Sequence, residues 1–322
     1  MPSCLISFGA NLGNARSTIE RAAQQLKDKL TSASELFQLS PLYKTPPVGG
    51  PSGQPPFLNA VAAMETQLSP WEVWHAVRDV EQQLGRERFQ RWEARRIDLD
   101  ILLFDDTRIW TPQLKIPHPR MCMRRFILAP AAHVARDWLD PVTGQSIAAL
   151  ATALEQGRGS LMLCAEPKTR PELLLEEVAR HTLAKWQTVD FTQTATEQAS
   201  DHTSRWVALA PQQLASLHAE TPTTANEEAD VSAIKLAAPP KLVVFLVDAQ
   251  ASSGAQWEDR YRGLARRLNL SSGIASDHSL AKRWSSQIPR YLLATDDRQW
   301  AVHELVAALD AMDCPIEQVR EC

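Results

Sequence analysis

No run of this 322-residue chain approaches the roughly 20 consecutive apolar residues that a membrane-spanning helix needs. No basic stretch followed by a long apolar one comes after Met1-Pro2-Ser3-Cys4, so a secretory leader is not expected either. Cysteine is sparse: Cys4, Cys122, Cys164, Cys314 and Cys322 are scattered, odd in number and form no CxxC pair. That pattern excludes a disulfide framework and a zinc ribbon, and it predicts buried structural thiols in a reducing, cytoplasmic compartment. There is no large excess of one charge: 34 Lys+Arg against 38 Asp+Glu leave a net −4 and no global drive toward nucleic acid. Glycine thins out, with nine of the twelve before residue 160. Residues 238–322 lack a GxxxxGK[ST] loop, a GxGxxG fingerprint and any metal-ligand cluster.

What is present reads as a globular protein of two domains, 44% hydrophobic and 22% charged. The charge is uneven. Residues 1–165 hold 18 basic against 16 acidic groups, and residues 166–322 hold 16 against 22. A local basic patch in a near-neutral half suits a small anion better than a long polyanion. Leu5–Phe8 reads as a strand, and Asn14 as the N-cap of a helix from Ala15 to Leu30. Leu36–Tyr43 and Phe57–Glu65 read as strands, separated by Thr45–Pro56, whose five prolines and three glycines exclude helix and inner strand. Ser69-Pro70-Trp71-Glu72 is a capping box, opening a helix that Gly85 ends. Short helices are expected at Arg125–Ala132 and Ala148–Gln156. The order β-α-β, β-α-β predicts an α+β, ferredoxin-like antiparallel sheet with helices over residues 1–165.

The densest chemistry lies at Arg95-Arg96-Ile97-Asp98-Leu99-Asp100-Ile101-Leu102-Leu103. Alternation puts Ile97, Leu99, Ile101 and Leu103 on one face of a strand and Asp98 and Asp100 on the other, roughly 7 Å apart. Two such carboxylates repel unless a cation lies between them, and hard oxygen ligands suit Mg²⁺. Arg86, Arg88, Arg91, Arg95 and Arg96 crowd the same place. Metal-binding acids beside guanidinium groups point to a polyphosphate. A solvated strand edge and a solvated basic loop are the structural alternatives.

Several spaced motifs then carry a resemblance: Phe8-Gly9-Ala10-Asn11-Leu12-Gly13, Tyr43-Lys44-Thr45-Pro46-Pro47, Phe57-Leu58-Asn59-Ala60, Glu81 through Gly85-Arg86, Trp92 to Asp100, and Pro117-His118-Pro119-Arg120 with Arg124 and Phe126. In joint order and spacing, residues 1–165 resemble the 6-hydroxymethyl-7,8-dihydropterin pyrophosphokinases of folate biosynthesis. The resemblance implies transfer of pyrophosphate from ATP to the pterin hydroxymethyl group with release of AMP. It implies two Mg²⁺ ions on Asp98 and Asp100, and Arg86 and Arg95 as catalytic-loop arginines. ATP would be met by Glu81, Trp92, His118, Arg120 and Arg124, and the pterin by Thr45, Val48, Phe57, Asn59 and Phe126. Read without the resemblance, Phe57 and Phe126 are core residues, His118 is structural, Glu81 is a buried acid paired with an arginine, and Trp92 is simple packing, which weighs equally with the closure over the site that the resemblance implies. Glu93 departs from the family, which has Gly there, and Glu does not take up positive φ cheaply. That departure motivates an alternative: a weakened homologue that binds ATP or pterin and acts in regulation or assembly.

The second half is less telling. Glu172–Trp186 reads as a helix, Thr188–Ser204 has little periodicity, Trp206–Ala210 reads as a strand, and Pro211–Ala219 as a helix. Glu220–Val231 reads as a polar linker. Residues 166–237 therefore form a helical segment and linker. Residues 238–322 form an α/β module around the apolar run Leu242–Val247, with Tyr291–Ala294 and helices at Trp257–Leu268 and Trp300–Met312. Its pattern faintly resembles a nucleoside-kinase-like fold without its phosphate loop, and a structural or dimerisation module is an equal reading. The expected partners are ATP and the dihydropterin, with self-association through the C-terminal module as a further reading, and neither nucleic acid nor membrane.

Overall fold

The computed structural model describes residues 1–32, 36–86, 94–165, 171–188, 204–209, 240–247, 265, 268, 270, 288–295 and 297–320. Expectations for Trp257–Leu268, Pro211–Ala219 and Glu220–Val231 fall wholly or mostly outside these residues. The chain divides into two compact units. The first comprises Met1–Pro141, Gln145–Thr152 and Asp313–Cys322, and the second Val142–Gly144 and Ala153–Met312.

The first unit runs β1 (Ser3–Ala10), α1 (Ala15–Leu30), β2 (Phe37–Leu39), β3 (Tyr43–Thr45), β4 (Phe57–Glu65), α2 (Pro70–Gln83) and β5 (Asp98–Phe104). A two-stranded ribbon follows, β6 (Ile109–Trp110) with β7 (Lys115–Ile116), and then α3 (Arg125–Val134) and α4 (Ile147–Glu155). The strands form an antiparallel sheet ordered β3-β4-β1-β5, with β2 also on β4. The single strand expected at Leu36–Tyr43 is thus two, broken at Ser40-Pro41-Leu42, since proline supplies no ladder donor. Both caps form as read. Asn14 accepts from the Ser17 amide, and Ser69 and Glu72 close their box reciprocally. The Ser69 hydroxyl and amide hold the Glu72 carboxyl below its ordinary pKa.

One sheet face packs on α1 and α2 through Ile6, Phe8, Ala10, Ala60, Ala62, Met64, Leu99 and Ile101, meeting Ile19, Leu26, Val73, Val77 and Val80. The strict alternation expected along β5 fails at one place. Ile6 pairs with Ile101 but Leu5 with Leu103, so Leu102 is an extra residue and a bulge. Beyond it Phe104, not Leu103, joins this core. Ser7, Gly9, Asn59, Asp98 and Asp100 belong to the opposite face.

The second unit is built on a parallel sheet whose strands run, from edge to edge, Arg290–Ala294, Leu242–Val247, Ser160–Ala165, Trp206–Leu209 and Lys185–Thr188. Its strands are β8 (Ser160–Ala165), β9 (Lys185–Thr188), β10 (Trp206–Leu209), β11 (Leu242–Val247) and β12 (Arg290–Ala294). The helices are α5 (Pro171–Thr182) and α6 (Arg298–Met312). Two sequence expectations change here. β8 belongs to this sheet, so the second unit starts before the boundary expected at residue 165. The helix expected to reach Trp186 stops at Thr182, where Leu183 has positive φ, and Trp186 lies in β9. Gly159 lacks a Cβ where one would stand 3.1 Å from the Leu309 carbonyl, so its bareness lets α6 approach.

No disulfide joins the described thiols Cys4, Cys122, Cys164 and Cys314 to one another. Burial pushes the pKa values of Cys4, Cys122 and Cys164 up, so these are packing groups and not nucleophiles. Among the described residues no helix is long and apolar enough to cross a membrane.

After α6 the chain adds β13 (Glu317–Gln318) to the first unit's sheet, antiparallel to β3. The Val319 amide donates to the Leu42 carbonyl, and its side chain packs on the first unit's core. Deleting residues 313–322 removes that packing, worth roughly 1–2 kcal/mol. The first unit's melting temperature is expected to fall by about 3–6 °C in calorimetry. An unchanged transition would show that β13 adds nothing to it.

Candidate active site

The site is laid out by register. Tyr43 pairs with Asn59, Asn59 with Gly9, and Gly9 with Asp98, a single row across four strands. Gly9 is the bare member. A Cβ built there would lie 3.6 Å from Asn59 Oδ1 and 3.9 Å from Asp98 Cβ, so the missing side chain leaves an open floor between the amide and the carboxylate. On one side of that floor, Asn59 Nδ2 donates to Thr45 Oγ1 at 2.9 Å, both groups being buried. Phe57, at the start of β4, and Phe126, in the first turn of α3, are half-buried, as is Val48. The Arg124 guanidinium carbon stands 5.7 Å from the Phe126 ring centre.

On the other side stand the two acids. Asp98 receives Arg86 on Oδ1 at 2.6 Å and Arg95 on Oδ2 at 2.5 Å. Asp100 Oδ2 has His118 Nε2 at 3.6 Å and Arg124 Nη1 at 4.0 Å. Three arginines thus stand against the two carboxylates. Arg86 is aimed by the end of α2. Gly85 takes φ +77°, its amide donates to Gln82 and the Arg86 amide to Glu81, the two bonds of a Schellman stop. The residue after the glycine is thereby delivered to β5.

Glu81, expected among the ATP-binding residues, lies buried beneath the site. Its Oε1 accepts from the Leu99 amide at 2.9 Å and pairs with Arg86, while Oε2 stands 3.5 Å from Arg78. Its connection to the site runs through Arg86 and β5, which is the structural alternative for this residue. Trp92 and Glu93 lie outside the described residues. Two groups that the sequence reading passed over belong here. Gly9 was visible only as part of a turn motif. Asn11 is 6% exposed and bonded to Arg95, and a polar residue in a glycine-rich turn carries no sign of a distant partner.

His118 follows the cis Ile116–Pro117 bond. Its amide donates to the bulged Leu102 carbonyl, and its Nδ1 accepts from the Arg120 amide at 3.2 Å. The proton of the neutral ring therefore sits on Nε2, toward Asp100. Burial, then Arg124 and Arg120, push its pKa well below 6.5. His118 is thus a neutral N–H donor beside a carboxylate. Arg120 is half-buried beside it.

Below pH 6.5 the unfolded chain takes up a proton on His118 that the folded chain refuses. The His118 contribution is complete above pH 6.5 and is lost as pH falls toward the folded value, at up to about 1.4 kcal/mol per pH unit. In chelator-treated protein, His118→Gln is expected to narrow the stability difference between about pH 7.5 and about pH 5.5 in urea melts. Parallel curves for the two proteins would exclude this origin.

The family model for 7,8-dihydro-6-hydroxymethylpterin-pyrophosphokinase matches residues 5–136. The 2-amino-4-hydroxy-6-hydroxymethyldihydropteridine pyrophosphokinase of Pseudomonas aeruginosa is 41% identical over 132 residues, 41% of this chain and 80% of that protein. That of Bacillus subtilis is 39% identical over 131 residues, 41% of this chain and 77% of that protein. That of Synechocystis is 33% identical over 143 residues, 44% of this chain and 71% of that protein. A solved Plasmodium falciparum HPPK-DHPS triple mutant aligns over 97% of this chain and 80% of its own, at 12% identity and a TM-score of 0.37. A likeness that loose bears on neither unit. The relatives at 33–41% identity are matched over most of their own length, and the chain belongs to the 7,8-dihydro-6-hydroxymethylpterin-pyrophosphokinase family.

Proposed function

We propose that the first unit transfers pyrophosphate from ATP to the hydroxymethyl oxygen of 6-hydroxymethyl-7,8-dihydropterin, releasing AMP, as a cytoplasmic step of folate biosynthesis. The observation that carries this reading is the sheet row Asn59–Gly9–Asp98. It sets a buried amide and an arginine-bound carboxylate on either side of an open floor. The element order, with strands arranged β3-β4-β1-β5, supports the ferredoxin-like reading of this unit. The scattered, odd set of five cysteines suits a reducing compartment.

The pterin is a flat bicycle with a polar edge. Asn59 and Thr45 offer that edge a donor and an acceptor, and Phe57, Phe126 and Val48 offer apolar surface to its faces. The triphosphate belongs at the cationic end. Arg86 and Arg95 stabilise charge that builds on the transferred group and on the AMP leaving group. Arg124, Arg120 and the neutral Nε2–H of His118 fix the remaining oxygens. Glu81 positions Arg86.

Asp98 and Asp100 fit Mg²⁺ as its protein ligands. They are two hard carboxylates on one strand face, and among the described residues no group of three or more His, Cys, Asp or Glu forms a complete cage. That ligand count suits an ion that keeps waters and binds substrate phosphate. When bound, such ions draw charge off the phosphate oxygens and lower the barrier to attack at phosphorus.

Given ATP, Mg²⁺ and the dihydropterin together, the full-length protein is expected to form AMP, and to form none if any of the three is withheld. Asp100→Asn is expected to lower kcat at least about a thousandfold while the melting temperature stays near that of the wild type. A folded wild-type protein that makes no AMP would sink the reading.

A further inference from the structure

Asn11 stands just past the end of β1 and uses its whole amide. Its Oδ1 accepts from the Arg95 amide at 2.8 Å, and its own backbone amide returns a bond to the Arg95 carbonyl at 3.1 Å. Side chain and main chain thus grip Arg95 as a strand partner would. On its other end, Nδ2 donates to the Pro55 carbonyl at 3.1 Å and reaches Gln54 Oε1 at 3.5 Å. Gln54 in turn donates to the Pro51 carbonyl at 3.2 Å. The amide orientation is set by these partners, since a flipped group would face a donor with a donor and a carbonyl with a carbonyl.

We propose that Asn11 is a positioning residue that couples the two loops flanking the site. One is the segment carrying Arg95, on the phosphate side. The other is the proline- and glycine-rich loop from Thr45 to Pro56, on the pterin side. Only a group that is donor and acceptor at this length serves both. Aspartate keeps the acceptor and loses the donor, alanine loses both, and glutamine is one carbon too long. Asn11 touches neither substrate in this scheme and acts through Arg95 and through the loop. Asn11 itself is buried and its bonds to Arg95 and Pro55 are part-buried, so water replaces them poorly at the Asn11 end. The segment that holds the pterin and the arginine that meets the phosphates are thereby ordered together, so that ordering one lowers the entropic cost of ordering the other.

The kinetic half of this inference rests on the pyrophosphokinase reading, and the structural half does not. The test compares full-length wild type, Asn11→Asp and Asn11→Ala by hydrogen exchange in peptides covering residues 48–58 and Arg95, and by kcat and KM for each substrate. In Asn11→Ala, exchange is expected to rise about tenfold or more in both peptides and in no peptide of α1 or β4. In Asn11→Asp it is expected to rise only over 48–58. Kinetically, Asn11→Asp is expected to raise KM for the dihydropterin with kcat held within about threefold, and Asn11→Ala to lower kcat about tenfold or more as well. Unchanged exchange at Arg95 in Asn11→Ala overturns the proposal, as does a rise shared with α1 and β4. If Asn11→Ala does not fold, wild-type exchange over 48–58 in Asn11→Asp overturns it. A wild type that makes no AMP removes the pyrophosphokinase reading, and the exchange data still decide the coupling.

Discussion

The Glu81 carboxylate is the interaction on which the rest of the site depends. It is nearly sealed from water, and a carboxylate so placed must be matched by donors or it costs several kcal/mol. Among its donors are the Leu99 amide and Arg86. The first ties the end of α2 to β5, and the second fixes the arginine that reaches Asp98. Asp98 then holds Arg95, whose backbone is gripped by Asn11. The arrangement is a chain of alternating charges laid along the end of one strand. Remove its buried member and the arginines keep their charge but lose their address.

How much of this was legible depended on how local the cause was. The caps at Asn14 and Ser69 and the stop at Gly85 are decided within four residues, and the sequence shows them directly. The Asp98–Asp100 pair was visible as an electrostatic problem, since two acids on one strand face ask for a cation. The sequence pointed to a metal, and the structure adds arginines that stand against the same carboxylates. Gly9 and Asn11 stayed hidden because their partners lie across the sheet or some 40 to 80 positions away. The bulge at Leu102 was hidden for another reason. Side-chain alternation cannot reveal an inserted residue when every neighbour is apolar, as in Ile101-Leu102-Leu103-Phe104.

The second unit shows the same divide. β11 coincides with the apolar run at Leu242–Val247, and all six of its residues are buried. Inside this unit a few polar groups are matched deliberately. Tyr291 donates to the buried Glu304 at 3.1 Å, and Lys241 Nζ donates to the Leu154 and Gly157 carbonyls. Two ion pairs reach α6: Arg205, just before β10, pairs with Asp310, and Arg298 pairs with Glu177 of α5. Such partners are distant in sequence, which is why periodicity alone said little about this half.

The strand at Glu317–Gln318 has a consequence for biosynthesis. A chain emerging from the ribosome presents β3 long before its outer neighbour exists. Until then the sheet that carries the site has a bare edge, with unpaired amides and carbonyls open to other nascent chains. The whole second unit is translated during that interval. The first unit is thus assembled early but paired late along this edge, and a translational pause or premature stop beyond residue 152 would leave β3 without its outer neighbour.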